Sequence, residues 1–123
     1  MPIRCLIVDD NQPFLEAAQV LLEREGLTVA GLATTSSEAF RQAKTLRPDV
    51  VLVDISLGEE NGFDLARRLV EDGAGVDATV VMISTSAEED VADLLAESPA
   101  AGFVPKAELS AAAIRRIVDG RLR

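Results

Sequence analysis

The sequence predicts an α/β fold: a doubly wound, five-stranded parallel sheet with helices on both faces. Three observations carry this. Five short β-rich runs alternate with five helical patterns along 123 residues, and strict alternation implies parallel strands joined by helical crossovers. Runs one, three and four are nearly all apolar, as strands buried on both faces must be. The helical patterns between them have recognisable ends.

The strands are read as "IRCLIV" (3–8), "LTVAGLA" (27–33), "DVVLVD" (49–54), "ATVVMIS" (78–84) and "GFVP" (102–105). The second is mixed and the fifth is short, so both are expected at sheet edges. An edge also tolerates Pro105, which cannot donate to a ladder. The first helix has Pro13 in its first turn and Gly26 just past its end. The second carries a Thr35-x-x-Glu38 capping box and stops before Pro48. The third starts at Asn61 and stops by Gly73. The fourth is expected to start on a Ser86-x-x-Glu89 capping box, with Glu88, Glu89 and Asp90 favouring its dipole. The last is "AELSAAAIRRIVDG", with Ala111, Ile114 and Val118 at helical spacing. The expected strand order is the flavodoxin-like 2-1-3-4-5. No repeat or linker interrupts the pattern, so residues 1–123 read as a single domain with no second domain within this chain.

Composition narrows function. Hydrophobic residues make up 48% of the chain, enough for one core. A net charge of −9 argues against direct nucleic-acid binding, which needs Lys and Arg on phosphates. The apolar runs are too short to span a bilayer and the N-terminus has no signal pattern, so a cytoplasmic protein without membrane attachment is expected. There is no histidine; Ser-His-Asp and Cys-His catalysis and histidine-bound zinc are therefore excluded. Trp and Tyr are also absent. The lone Cys5 reads as a small buried hydrophobe.

In open α/β sheets, sites form outside the carboxyl ends of the strands. There the prediction places Asp9 and Asp10 after strand one, Asp54 after strand three, Ser84 after strand four and Lys106 after strand five. Two adjacent aspartates could simply be an acidic helix cap. Three convergent carboxylates instead suit a hard cation, and Mg²⁺ fits oxygen ligands that leave room for a phosphate, with Mn²⁺ as a substitute. A cation, an ammonium and a hydroxyl around one carboxylate suit phosphoryl transfer, with Asp54 as nucleophile. Thr85 lies beside Ser84 and could take its place.

"VDD" on strand one, "VLVDISLGEENGFDL" around strand three, "VVMIS" on strand four and "GFVPK" after strand five resemble the receiver domain of two-component response regulators, over essentially the whole chain. The resemblance implies a regulatory domain, not an enzyme, although one that assists its own phosphorylation and dephosphorylation. It implies that Asp54 accepts phosphate from a sensor histidine kinase or phosphotransfer protein. Asp10 would ligate Mg²⁺ directly, Asp9 less directly, and the Ser56 backbone carbonyl would join Asp54 among the ligands. Lys106 would pair with phosphoryl oxygens, while Ser84 and Phe103 would switch. The surface of the fourth helix, fifth strand and fifth helix would signal to an output domain or partner, and it allows a homodimer on phosphorylation. The alternative is a degenerate receiver acting as a phosphorylation-independent interaction module.

The chain departs from the family pattern twice. Pro105 precedes Lys106 where the family often has a proline after the lysine, and Gly58 stands where a proline is frequent. Neither change removes a group the chemistry needs. Two rivals fit less well. A nucleotide-binding module wants glycines after strand one, not "DDNQP". An aspartate-nucleophile phosphatase needs a second acid–base residue and a cap.

Overall fold

The computed structural model describes residues 3–71 and 78–121. In chain order the elements are β1 (Arg4–Val8), α1 (Gln12–Arg24), β2 (Thr28–Ala33), α2 (Ser36–Leu46), β3 (Val50–Asp54), β4 (Ser56–Leu57), β5 (Glu60–Asn61), α3 (Gly62–Glu71), β6 (Thr79–Ser84), α4 (Glu88–Ala96), β7 (Gly102–Pro105) and α5 (Ala111–Arg121). The main sheet runs β2-β1-β3-β6-β7 and is parallel throughout. Counting only its own strands, that is the expected 2-1-3-4-5, with the mixed and the short strand at the edges. The antiparallel hairpin of β4 and β5 is an addition: its two-residue strands are too short to show a period.

The alternation of side chains divides the core. Leu6, Val8, Val51, Val53, Val80 and Met82 face α2 and α3, with Ala39, Ala43, Phe63 and Leu69 packed on them. Cys5, Ile7, Val50, Leu52, Val81 and Ile83 face α1 and α5, with Leu15, Leu22 and Ile114 opposite. Cys5 is a buried hydrophobe as expected, its thiol pushed up to about 12 by burial and by the Asp49 carboxylate. Each fully buried Leu or Ile contributes about 1.5–3 kcal/mol. This core offsets the cost of the charged rim described below.

Most helix ends follow local chemistry. Asn11 caps α1 by accepting from the Phe14 N–H at 3.2 Å, and Gly26 leaves it at φ 96°. Thr35 caps α2 through the Glu38 N–H at 3.2 Å; the returning Glu38 carboxylate takes Thr34 N–H, one residue earlier than the usual box. The Asn61 side chain accepts from Phe63 N–H at 2.8 Å and starts α3; the expected stop at Gly73 lies outside the described residues.

Two expected starts are corrected. Ser86 is not the cap of α4: its N–H donates to Ser84 Oγ at 3.0 Å, which holds Ser86 in the preceding turn, and Ala87 occupies the cap position without a side-chain bond. The last helix does not begin at Ala107. Lys106–Glu108 form one 3₁₀ turn and Leu109 is extended (φ −61°, ψ 127°), with its side chain buried against the α1–α5 side. Ser110 then caps α5 by accepting from Ala113 N–H at 3.0 Å. Among the described residues there is no cis peptide bond, so Val104–Pro105 is trans. No described helix is long and apolar enough to cross a membrane.

Candidate functional site

Parallel register brings the predicted polar residues to one rim. Asp9 and Asp10 follow β1, Asp54 ends β3 and Ser84 ends β6. Asp54 is paired across the sheet with Ile83, and Ser84 with Pro105. Lys106, next after β7, therefore points its long side chain back over the rim toward β3 and β1.

Asp9 is fully buried and held on both sides. Its N–H donates to Ala33 O at 3.0 Å, and its Oδ1 accepts from Asn11 N–H at 2.9 Å. Its Oδ2 meets Lys106 Nζ at 2.6 Å as a charge contact and receives no directed hydrogen bond. Asp54 is also buried. Its Oδ1 accepts from Ser56 N–H at 3.2 Å, and its Oδ2 accepts from Lys106 Nζ at 3.3 Å. Asp10 is exposed, and one carboxylate oxygen from each of the three aspartates lies within 4.8 Å of the others.

These contacts set the charges. The Asp54 carboxyl is pushed up to about 6 by burial and by the negative charge on Asp9; Lys106 and the Ser56 N–H offset only part of this. Burial pulls the Lys106 ammonium down, but the Asp9 contact and the charges on Asp54 and Asp9 outweigh it and hold it above its ordinary value. One ammonium faces three carboxylates, so a divalent cation fits the imbalance. The donors are hard oxygens, and a buried oxygen on Asp9 accepts no hydrogen bond; Mg²⁺ suits such a set.

Ser84 is buried at the end of its strand, whereas Thr85 is exposed beyond it. The Ser84 Oγ is an acceptor for Ser86 N–H. Phe103 is half-buried on β7, paired with Met82 and packed against the α2–α3 side of the core. It lines grooves of about 500 and 330 Å³ beside α5 and α4. Sequence reasoning missed Phe14, whose ring centroid lies 4.5 Å from Lys106 Nζ. It also missed Asn11 as the backbone partner of Asp9. Phe14 follows Pro13 in the first turn of α1, but only the fold brings Lys106 over it.

The family model described as "Response regulator receiver domain" matches residues 5–119. The response regulator GacA of Pseudomonas aeruginosa is 30% identical over 123 residues, covering 97% of this chain and 56% of that protein. The phosphate regulon transcriptional regulatory protein PhoB of the same organism is 37% identical, covering 69% and 37%. The chain spans about half the length of the curated relatives it matches first. Among solved structures, a LuxR-family two-component response regulator from Aurantimonas sp. SI85-9A1 superposes with a TM-score of 0.81 at 28% identity, covering 98% of this chain and 87% of that one. The receiver domain of a modulated diguanylate cyclase from Desulfovibrio desulfuricans G20 gives 0.78 at 29% identity, covering 98% and 93%. The chain belongs to the response regulator receiver domains, the regulatory phosphoacceptor modules of two-component systems.

Proposed function

We propose that Asp54 is the phosphoacceptor, and that Asp9, Asp10, Asp54 and the backbone carbonyl of Ser56 hold Mg²⁺. The observation that carries this is Lys106 Nζ, set between Asp9 and Asp54 on the rim where three carboxylates meet. When bound, Mg²⁺ neutralises excess negative charge on the carboxylates and on the incoming phosphoryl group. The Asp54 carboxylate oxygen attacks phosphorus. The new O–P bond forms as the P–N bond of a donor phosphohistidine breaks, and the freed imidazole leaves. Lys106 pairs with the phosphoryl oxygens, and the Ser84 hydroxyl turns from its turn contact to donate to one of them. Phosphorylation replaces the single charge of the Asp54 carboxylate with a phosphoryl group carrying about −1.5 to −2, a net gain of about one negative charge at most, and that is the local event that would move Ser84 and Phe103.

The phosphoryl donor is a sensor histidine kinase or a phosphotransfer protein, in the cytoplasm. The readout is the α4–β7–α5 surface, which the two grooves at Phe103 undercut, acting on an output domain, a partner or a second copy of the chain. The 123 residues act as one receiver unit.

The test is incubation with acetyl phosphate and Mg²⁺, followed by intact mass. One added phosphoryl group is expected, lost in Asp54→Ala and in EDTA. Uptake undiminished in Asp54→Ala would overturn the assignment. No uptake by a folded wild-type chain would favour the degenerate interaction module, and a beryllofluoride titration would separate that from a short-lived phosphate.

A further inference from the structure

The acceptor strand runs straight into the β4–β5 hairpin, and the hairpin borders the site. Gly58 at its tip has φ 61°, and a Cβ there would lie 3.5 Å from Asp10 Oδ2. The hairpin is closed by Gly62 N–H donating to Ile55 O at 2.8 Å, and Leu57 is buried beneath it. The closing bond sets the hairpin's shape. A separate contact ties it to the far side of the rim: Glu60 Oε1 accepts the Ser36 N–H at 2.9 Å.

Ser36 is the first residue of α2, so its N–H has no partner within the helix. The local cap does not take it, because Thr35 Oγ1 serves Glu38 and Glu38 serves Thr34. A carboxylate at that end is also favoured by the helix dipole. The α2 helix follows β2, and the last residue of β2, Ala33, holds Asp9 through its carbonyl. A continuous path of bonds thus runs from Asp9 through Ala33, Ser36 and Glu60 to the hairpin, and from Ser56 N–H back to Asp54.

We propose that Glu60 is a positioning residue for the cation and phosphoryl site: its bond to Ser36 fixes the hairpin against the start of α2, next to the β2 end that holds Asp9, and with it Gly58 and the Ser56 backbone. This rests on the reading of the acidic cluster given under Proposed function. It also accounts for how a loop with the backbone freedom of Gly58 is held at the site.

Two substitutions break the same bond from opposite ends. Glu60→Ala removes the acceptor. Ser36→Pro removes the donor at the first helical position, where proline is tolerated, behind a Thr35 already at φ −134° and ψ 161°, a backbone that suits a following proline. Glu60→Gln keeps an acceptor oxygen. The readout is a Mg²⁺ titration followed by the backbone amide signal of Gly58, with exchange of the Ser36 amide measured in metal-free protein and circular dichroism confirming the fold. Glu60→Ala should raise the Mg²⁺ concentration at half-saturation about fivefold, the scale of one lost hydrogen bond, and speed Ser36 exchange. Glu60→Gln should stay within about twofold. Ser36→Pro should match Glu60→Ala, and the double variant should be no worse than either. An unmoved half-point in Glu60→Ala, or additive losses in the double variant, overturns this inference alone. A wild-type chain that neither titrates nor takes up a phosphoryl group overturns the functional reading and this one with it.

Discussion

Replacing Asp54 by Asn should make the metal-free chain more stable at neutral pH, and the gain should vanish in acid. Asp54 is buried beside a second buried carboxylate, Asp9, and its carboxyl is pushed from 3.8 up to about 6. A move of that size corresponds to about 3 kcal/mol between the two protonation states. The cluster opens to water at the exposed Asp10, so screening reduces the working figure to about 1–2 kcal/mol. The sign follows from proton counting. Between about pH 4 and pH 6 the folded chain binds more protons at Asp54 than the unfolded chain does, so this group's contribution to stability falls as pH rises through that window. Above it the full penalty is present; below it the penalty is gone.

Asn removes the charge, keeps the shape and leaves the 2.6 Å Lys106–Asp9 contact in place. The assay is urea unfolding in EDTA followed by far-ultraviolet circular dichroism, since the chain has no Trp or Tyr. At pH 7.5 (an assay condition) Asp54→Asn should be more stable by about 1–2 kcal/mol. At about pH 3.5, below that window, the two should coincide within error. A variant that is less stable at neutral pH, or a difference that does not change with pH, would refute the claim that Asp54 is held against charge repulsion and burial.

Lys106→Met should be strongly destabilising in EDTA. It strips the fully buried Asp9 Oδ2 of its counter-charge, and breaking a buried pair in this way costs about 3–5 kcal/mol. The same unfolding assay checks it, and a loss near zero would mean that Asp9 does not depend on Lys106. Gly62→Ala should cost more than about 2 kcal/mol, because a Cβ there would collide with the Asp54 carbonyl oxygen and lie 2.9 Å from its carbon. A thermal melt unchanged by this substitution would contradict the close packing of α3 on the end of β3.

What could be read from the sequence was whatever short-range pattern and parallel topology determine together. Apolar runs ending in Asp9, Asp54 and Ser84 place those residues on one rim because every strand of a parallel sheet ends on the same side. Thr35 and Asn61 worked as start signals because their side chains reach an N–H two or three residues on. Ser86 failed as a cap because the Ser84 hydroxyl competes for its N–H. The last helix was drawn too early because Ala107 and Glu108 favour helix locally, whereas burial of Leu109 pulls the backbone out of it. The hairpin, the Phe14 ring under Lys106 and the Glu60–Ser36 bond were not legible at all. Each depends on partners brought together by folding, 24 positions apart in the case of Glu60 and Ser36, and no periodicity records such pairs.

The two contacts of Lys106 explain how one rim can both tolerate its charge and respond to a change in it. The ammonium lies closer to Asp9, at 2.6 Å, than to Asp54, at 3.3 Å, because Asp9 is the more deeply buried carboxylate. Asp54 is left with the weaker share and a raised pKa, a poor arrangement for stability and one that suits the reacting role proposed for it. On the proposed function, a phosphoryl group on Asp54 reverses the ranking, because it presents more charge and more acceptor oxygens than the Asp9 carboxylate. Lys106 then moves toward β3, and Asp9 needs another counter-charge. The cation proposed at Asp9, Asp10 and Asp54 supplies it, so the switch requires both ions in place together. On that reading Asp9 Oδ2, fully buried and 2.6 Å from Lys106 Nζ, is the atom that would lose its counter-charge if either were omitted.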